Sequence, residues 1–201
     1  MNDNFAHRAA DWDSTVKIEM TEIFVAEMML HVKLNKNWKA LEIGAGTGLV
    51  GLQMLPYISE VVFEDISAAM LEVLKSKLKG SEQVETLHGE VFDYSKQDID
   101  LVFSCMAFHH ISKIEEVLKH LYEITTTSAI IVEGDIRSED GSFHHFEPIP
   151  HRGFDTGVLS GQFRDAGFDV HVLQTYNVLT RKRVKGKLTD YEQFILVAKK
   201  R

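Results

Sequence analysis

The segment Glu42-Ile43-Gly44-Ala45-Gly46-Thr47-Gly48 ends a short apolar run in a carboxylate and then places glycine at every second position. Glycine accepts left-handed backbone angles and, lacking a side chain, lets a ligand lie against peptide groups. A carboxylate buried without a partner costs on the order of several kcal/mol, so Glu42 calls for a ligand amine or sugar hydroxyl. Together they describe one wall of a nucleotide-type pocket at the carboxyl end of a parallel strand. A second apolar run, Val61-Val62-Phe63-Glu64-Asp65-Ile66-Ser67, again ends in acid. Asp65 lies about twenty residues beyond the glycine turn, the separation at which a carboxylate reaches ribose hydroxyls. Strand alternation predicts that Glu64 and Asp65 point to opposite faces, and Asp65 is taken as the ligand. The alternative role for Asp65 is to cap the following helix, for which Ser67 is the expected N-cap.

Two registers compete for the glycines. Gly46, Gly48 and Gly51 fit the dinucleotide pattern G-x-G-x-x-G, which points to a nicotinamide-dependent oxidoreductase. That choice pushes Glu42 and Gly44 back into the strand, an odd place for a charge and a glycine. The register E-x-G-x-G-x-G uses every one of these residues and is preferred. Further along, Asp100-Leu101-Val102-Phe103-Ser104 reads as a strand whose carboxyl end opens at Cys105, His109 and His110. Neutral imidazole accepts a proton near pH 7, making His109 the candidate general base, with support of the pocket wall as its competing role.

These motifs in this order, LEIGAGTG, FEDIS with Met70 one turn on, HGEVFD and DLVFSCMAFHHI, resemble the class I S-adenosylmethionine-dependent methyltransferase family, in its small-molecule branch. The resemblance runs from Leu41 to the terminal Phe194–Ala198 stretch. It implies a Rossmann-like, doubly wound sheet of seven strands, mostly parallel, with an antiparallel C-terminal strand, and S-adenosylmethionine as cofactor. It further implies that Glu42 and the turn Gly44, Ala45, Gly46 and Gly48 surround the methionine part, and that Asp65 holds the ribose. Ile66 and Met70 would flank the adenine, Glu90 and the Val91 amide would read its edge, and Ser104 and Cys105 would offer backbone groups to the amino end. Glu90 stands where the family usually carries aspartate. Phe5 to Asp13 resembles the family's N-terminal cap, with Arg8 to pair with the cofactor carboxylate and Trp12 to close over the substrate.

The remaining elements must position these groups. Apolar residues at helical spacing (Val16, Ile18, Ile23, Phe24, Ala26, Met28, Leu30) predict a helix over 15–34. Strands are expected near 40–43, 60–64, 83–87, 101–104, 129–133, 169–176 and 193–198. Helices are expected near 49–55, 67–79, 113–123 and 157–166. The alternation predicts a parallel sheet with helices on both faces, forming one domain: a cap and helix over 1–34 and a core over 35–201. No helix separates the last two strands, so they should pair as a hairpin.

Composition narrows the partners. A net charge of -8 argues against nonspecific nucleic-acid binding, and no apolar run is long enough to cross a membrane. One cysteine and a polar start without a secretory pattern fit the cytoplasm. The histidine-rich stretch Phe143–Arg152 reads as a substrate lid, with His110 and His145 as substrate contacts. A metal there needs three or four converging ligands, and paired histidines lack the i, i+4 spacing of a helical ligand pair, so none is expected. The basic run Arg181–Lys187 reads as a solvated hairpin loop. The expected chemistry is direct methyl transfer to a small-molecule substrate, with a non-catalytic cofactor-binding protein as the other alternative.

Overall fold

The computed structural model describes residues 6–80, 83–182 and 186–201. Among these, seven strands form one sheet: β1 (Lys39–Ile43), β2 (Glu60–Asp65), β3 (Val84–His88), β4 (Ile99–Cys105), β5 (Thr125–Ile136), β6 (Phe168–Lys182) and β7 (Leu188–Lys200). Their order is β3-β2-β1-β4-β5-β7-β6. β1 to β5 pair in parallel, and β7 runs antiparallel between β5 and β6. This is the expected doubly wound sheet with one reversed strand, and the sequence between the last two strands leaves no other solution than a hairpin.

Five α-helices cover the sheet: α1 (Thr15–His31), α2 (Gly51–Met54), α3 (Ala68–Lys77), α4 (Ile114–Ile124) and α5 (Thr156–Asp165). Strand side chains alternate between faces, and so does the core. Leu41, Ile43, Val62 and Val102 pack with α4 and α5. Ala40, Phe63, Leu101 and Phe103 pack with α1, α2 and α3. Both faces of the central strands are therefore dry, as a parallel sheet requires.

Several boundaries differ from the sequence expectation. The stretch from Leu179 to Tyr191, read as a connection, is mostly strand, because β6 and β7 continue their pairing out to Lys182 opposite Leu188. Arg183–Lys185 of the basic run lie outside the described residues. α1 forms, but it buries Thr21, Phe24, Val25 and Met28. Val16, Ile18, Ile23 and Leu30 from the predicted apolar set are exposed, Leu30 at 77 %. Apolar residues lie around most of that helix, so periodicity alone did not select the face. α3 starts where Ser67 Oγ accepts the Met70 N–H at 3.3 Å, an N-cap as expected. Between β3 and β4 the described chain makes only a 3-10 turn, Val91–Asp93.

Candidate cofactor and acceptor site

The glycine turn leaves β1 with Gly44, Gly46 and Gly48 at φ of 65°, 55° and 82°, while Gly51 has no positive φ. The left-handed positions are thus those of E-x-G-x-G-x-G, while Gly51 lies in α2, where an added Cβ would stand 2.3 Å from Glu42 Oε2 and 2.4 Å from the Phe63 ring. The Gly44 Cα approaches Ala107 so closely that an added Cβ would stand 2.4 Å from the Ala107 Cβ. At Gly46 an added Cβ would meet only Trp12 Nε1, at 3.7 Å, so the turn keeps a Cβ-sized space on its open side.

Three carboxylates converge beneath the turn. Glu42 accepts the Gly51 N–H at 3.1 Å, at the start of α2. Glu64 accepts the Gly44 N–H at 3.1 Å, and Asp65 accepts the Gly46 N–H at 2.7 Å. Asp65 also accepts the Ser67 N–H at 2.7 Å, so it ties the turn to the head of α3. The alternation expectation failed: Asp65 is the last residue of β2, where the chain leaves the pleat, and both acids reach the same turn. Burial raises Glu42 well above the usual carboxyl range, with Asp65 and Glu64 adding repulsion. Burial, then the neighbouring acids, pushes Glu64 up to about 8 against the Gly44 hydrogen bond.

The N-terminal turn Ala6–Asp11 and Trp12 lie over this region. Thr47 Oγ1 donates to Asp13 at 2.5 Å, and Lys77 Nζ pairs with Asp13 and with the Thr47 carbonyl, clamping the cap onto the turn. Lys17 Nζ lies 3.1 Å from the Trp12 ring centroid. Burial, then Arg8 and Arg181, lowers Lys17 to about 8. The Arg8 guanidinium is exposed and donates to His7 at 3.2 Å. Ile66 is 42 % exposed, whereas Met70 is buried at the first turn of α3. Glu90 is exposed and forms a capping box with Asp93 at the head of the Val91–Asp93 turn, with Val91 buried behind it.

The β4 and β5 ends build a second wall. Ser104 and Glu133 are buried register partners there, and burial, with Asp135 adding repulsion, holds the Glu133 carboxyl well above its usual range. Burial, with Glu133, Asp135 and Glu42 adding repulsion, holds the Cys105 thiol protonated. His109 is buried, and Asp135 grips it twice: Nδ1 at 2.7 Å and the backbone N–H at 3.1 Å. The rings of His110 and His144 lie 4.2 and 4.8 Å from that of His109. Burial and the neighbouring imidazoles lower His110 to about 3 and His144 to about 4. Arg181 caps the Phe143 ring at 3.9 Å. His145, expected to contact substrate, is exposed; its left-handed φ of 53° turns the chain away, and His144 takes the inner place. Glu64, Asp135, His144, Lys17 and Arg181 escaped the site as read from sequence. Only contacts between distant segments bring them in. Their one legible signal was clustering of acids at strand ends and of histidines after β5.

Residues 41–131 match the family model of a methyltransferase domain. Over that segment the chain is similar to a methyltransferase domain. It is 29 % identical over 127 residues to a malonyl-[acyl-carrier protein] O-methyltransferase of Ilyobacter polytropus, covering 62 % of this chain and 47 % of that protein. Against an uncharacterised methyltransferase of Oceanobacillus iheyensis the identity is 31 % over 117 residues, 56 % of this chain and 54 % of the other. The chain spans about half the length of the curated relatives it matches. An S-adenosylmethionine-dependent methyltransferase from Aquifex aeolicus superposes with a TM-score of 0.75 at 18 % identity, covering 98 % of each chain. A chain of the complex between the Haloferax volcanii Trm112 methyltransferase activator and a methyltransferase gives 0.82 at 15 % identity, over 100 % of this chain and 99 % of that one. At such identities these likenesses speak for the fold. S-adenosylmethionine, the cofactor of such domains, fits the open side of Gly46, which leaves room for a ligand against the backbone. Among the described residues, no helix is long and apolar enough to cross a membrane.

Proposed function

We infer that the protein transfers the methyl group of S-adenosylmethionine to a small-molecule acceptor. The observation that carries this reading is the trio Glu42, Glu64 and Asp65 around a left-handed glycine turn. A pyrophosphate needs helix N-terminal amides and positive potential. Here the Gly51 amide is already taken by Glu42 and the surroundings are acidic, which opposes a nicotinamide dinucleotide. The cofactor supplies an electrophilic methyl group on a positive sulfur. Gly44, Ala45, Gly46, Gly48 and Glu42 would hold its methionine part, Asp65 its ribose, and Ile66, Met70, Glu90 and Val91 its adenine. Ser104 and Cys105 would face the amino end. Arg8, exposed and close to Lys17, fits a role at the entrance better than one on the cofactor carboxylate.

The protein's main contribution is alignment of acceptor and methyl group in a site screened by the cap. His109 would accept the acceptor proton at Nε2, because Asp135 holds Nδ1 and fixes the tautomer. His110 and Trp12 would line the acceptor space, with His144 in the place first given to His145. Lys17, Arg8 and Arg181 favour an acceptor bearing a negative group. The malonyl-[acyl-carrier protein] relative makes a malonyl thioester the first compound to try. The cytoplasm is the proposed compartment, supported by the free thiol of Cys105.

The test is release of S-adenosylhomocysteine across a panel of anionic, neutral and cationic metabolites. Turnover with members of the anionic class is the expected result. Tight cofactor binding with no product from any acceptor would favour the non-catalytic alternative.

A further inference from the structure

The three histidines at the β4–β5 edge do more than line a wall. Their ring nitrogens offer one ligand atom each, and these atoms all lie within 4.8 Å of one another. They come from two separate 3-10 turns, Phe108–His110 after β4 and Ser142–His144 after β5. That is why the spacing of the histidine pairs gave no hint of convergence. Asp135, from β5, accepts from the His109 N–H and the Ile136 N–H and bonds His109 Nδ1 at 2.7 Å. A carboxylate behind an imidazole in this way fixes the tautomer and leaves Nε2 as an oriented ligand, the usual outer shell of a metal-bound histidine. His144 Nδ1 is shielded from solvent and has no hydrogen-bond partner. A side chain that merely packed there would lose that nitrogen's hydrogen bond for nothing.

We propose that His109, His110 and His144 bind one divalent transition-metal ion of the zinc type, with Asp135 as the positioning carboxylate and a fourth position open. The ion takes the Nε2 lone pair that His109 offers as a base in the metal-free protein, so the two uses of His109 are alternatives. Imidazole suits zinc and its neighbours, and three protein ligands with a vacant place mark a site that works on a bound molecule. Tetrahedral nitrogens at 2.0–2.1 Å from zinc stand about 3.3 Å apart, so the rings must close by up to about 1.5 Å on binding. His110 and His144 are half-buried and can turn inward, while His109 is locked. Phe143 holds the second turn by packing edge-on to Tyr191, and the His151 N–H bonds the His109 carbonyl at 3.1 Å. Arg181, stacked on Phe143, is the positive group facing the cluster, and the Asp135 carboxylate opposes it.

This proposal stands on the cluster's geometry and does not depend on methyl transfer, so it is tested without cofactor or acceptor. The whole chain, stripped with chelator, is titrated with zinc by calorimetry and with cobalt by visible absorption. One ion per chain is expected, with the intense visible bands of a four-coordinate cobalt site. His144→Ala and His110→Ala should each weaken zinc binding by at least tenfold. Asp135→Asn should weaken it by about 10- to 100-fold. His31→Ala, on α1 and outside the cluster, should leave it unchanged. Circular dichroism of each variant shows that the fold is kept. Absence of stoichiometric binding overturns the proposal, and so does equal binding by wild type and both well-folded histidine variants.

Discussion

Two halves of one sheet edge meet at this site, and they are built on different terms. The β1–β2 half comes from two adjacent strand ends: backbone amides of the glycine turn and the carboxylates of Glu42, Glu64 and Asp65 that receive them. The β4–β5 half is assembled from distant segments, His109 and His110 from one exit loop, Asp135 and His144 from the next, Lys17 and Arg181 from the two ends of the chain. Burial acts on both but in opposite directions. It lifts Glu64 to about 8 and lowers His110 to about 3, so each half favours neutral groups until a charged ligand arrives. The acidic half suits a cationic donor, and the half carrying Lys17 and Arg181 suits an acceptor of the other sign.

The largest expected effect comes from crowding the first half. Gly44→Ala would combine a left-handed φ with a Cβ 2.4 Å from that of Ala107. A stability loss of about 2–4 kcal/mol in urea unfolding is the expected outcome. A variant as stable as wild type would mean that the close approach is absent.

His109→Asn sharpens the contrast from the other side. Methyl transfer to a hydroxyl acceptor should fall on the order of 100-fold while cofactor affinity in calorimetry stays level. If affinity collapses together with rate, the two halves are not separable.

A more gradual effect concerns pH. Glu64 has its folded value raised to about 8 from an ordinary 4.5, so the stability given by its protonated form is complete below 4.5 and lost as pH climbs through 8. Unfolding midpoints should decline across that window, and Glu64→Gln should flatten the decline. An unaltered slope in the variant would place the titration elsewhere.

The smallest effect belongs to Lys17, whose ammonium titrates near 8. Lys17→Met should raise KM for an anionic acceptor by roughly 3- to 10-fold, since partly exposed charges are worth little. The wild-type KM should rise as pH passes 8. A flat KM profile in wild type would remove Lys17 from acceptor binding.

The contrast also explains what could be read in the sequence. The glycine turn and the Ser67 cap were legible because each rests on contacts between near neighbours in the chain. So was the reversed last strand, which follows from a missing crossover helix. The face of α1 was not, because apolar residues surround it and tertiary packing selects among them. Nor was the exchange of His145 for His144, which turns on left-handed backbone at His145 and Phe146. Glu64 was set aside by a strand rule that stops applying one residue later, at the end of β2. Convergence of histidines from two loops belongs to the sheet order, which places β5 beside β4.

The most direct test of the account is calorimetric titration of S-adenosylmethionine into Asp65→Ala and Asp135→Asn side by side. Loss of the Asp65 carboxylate should weaken binding on the order of 10- to 100-fold, as expected for charge-assisted hydrogen bonds, with Asp135→Asn close to wild type. Equal affinity in Asp65→Ala and wild type, with both folded, would contradict it.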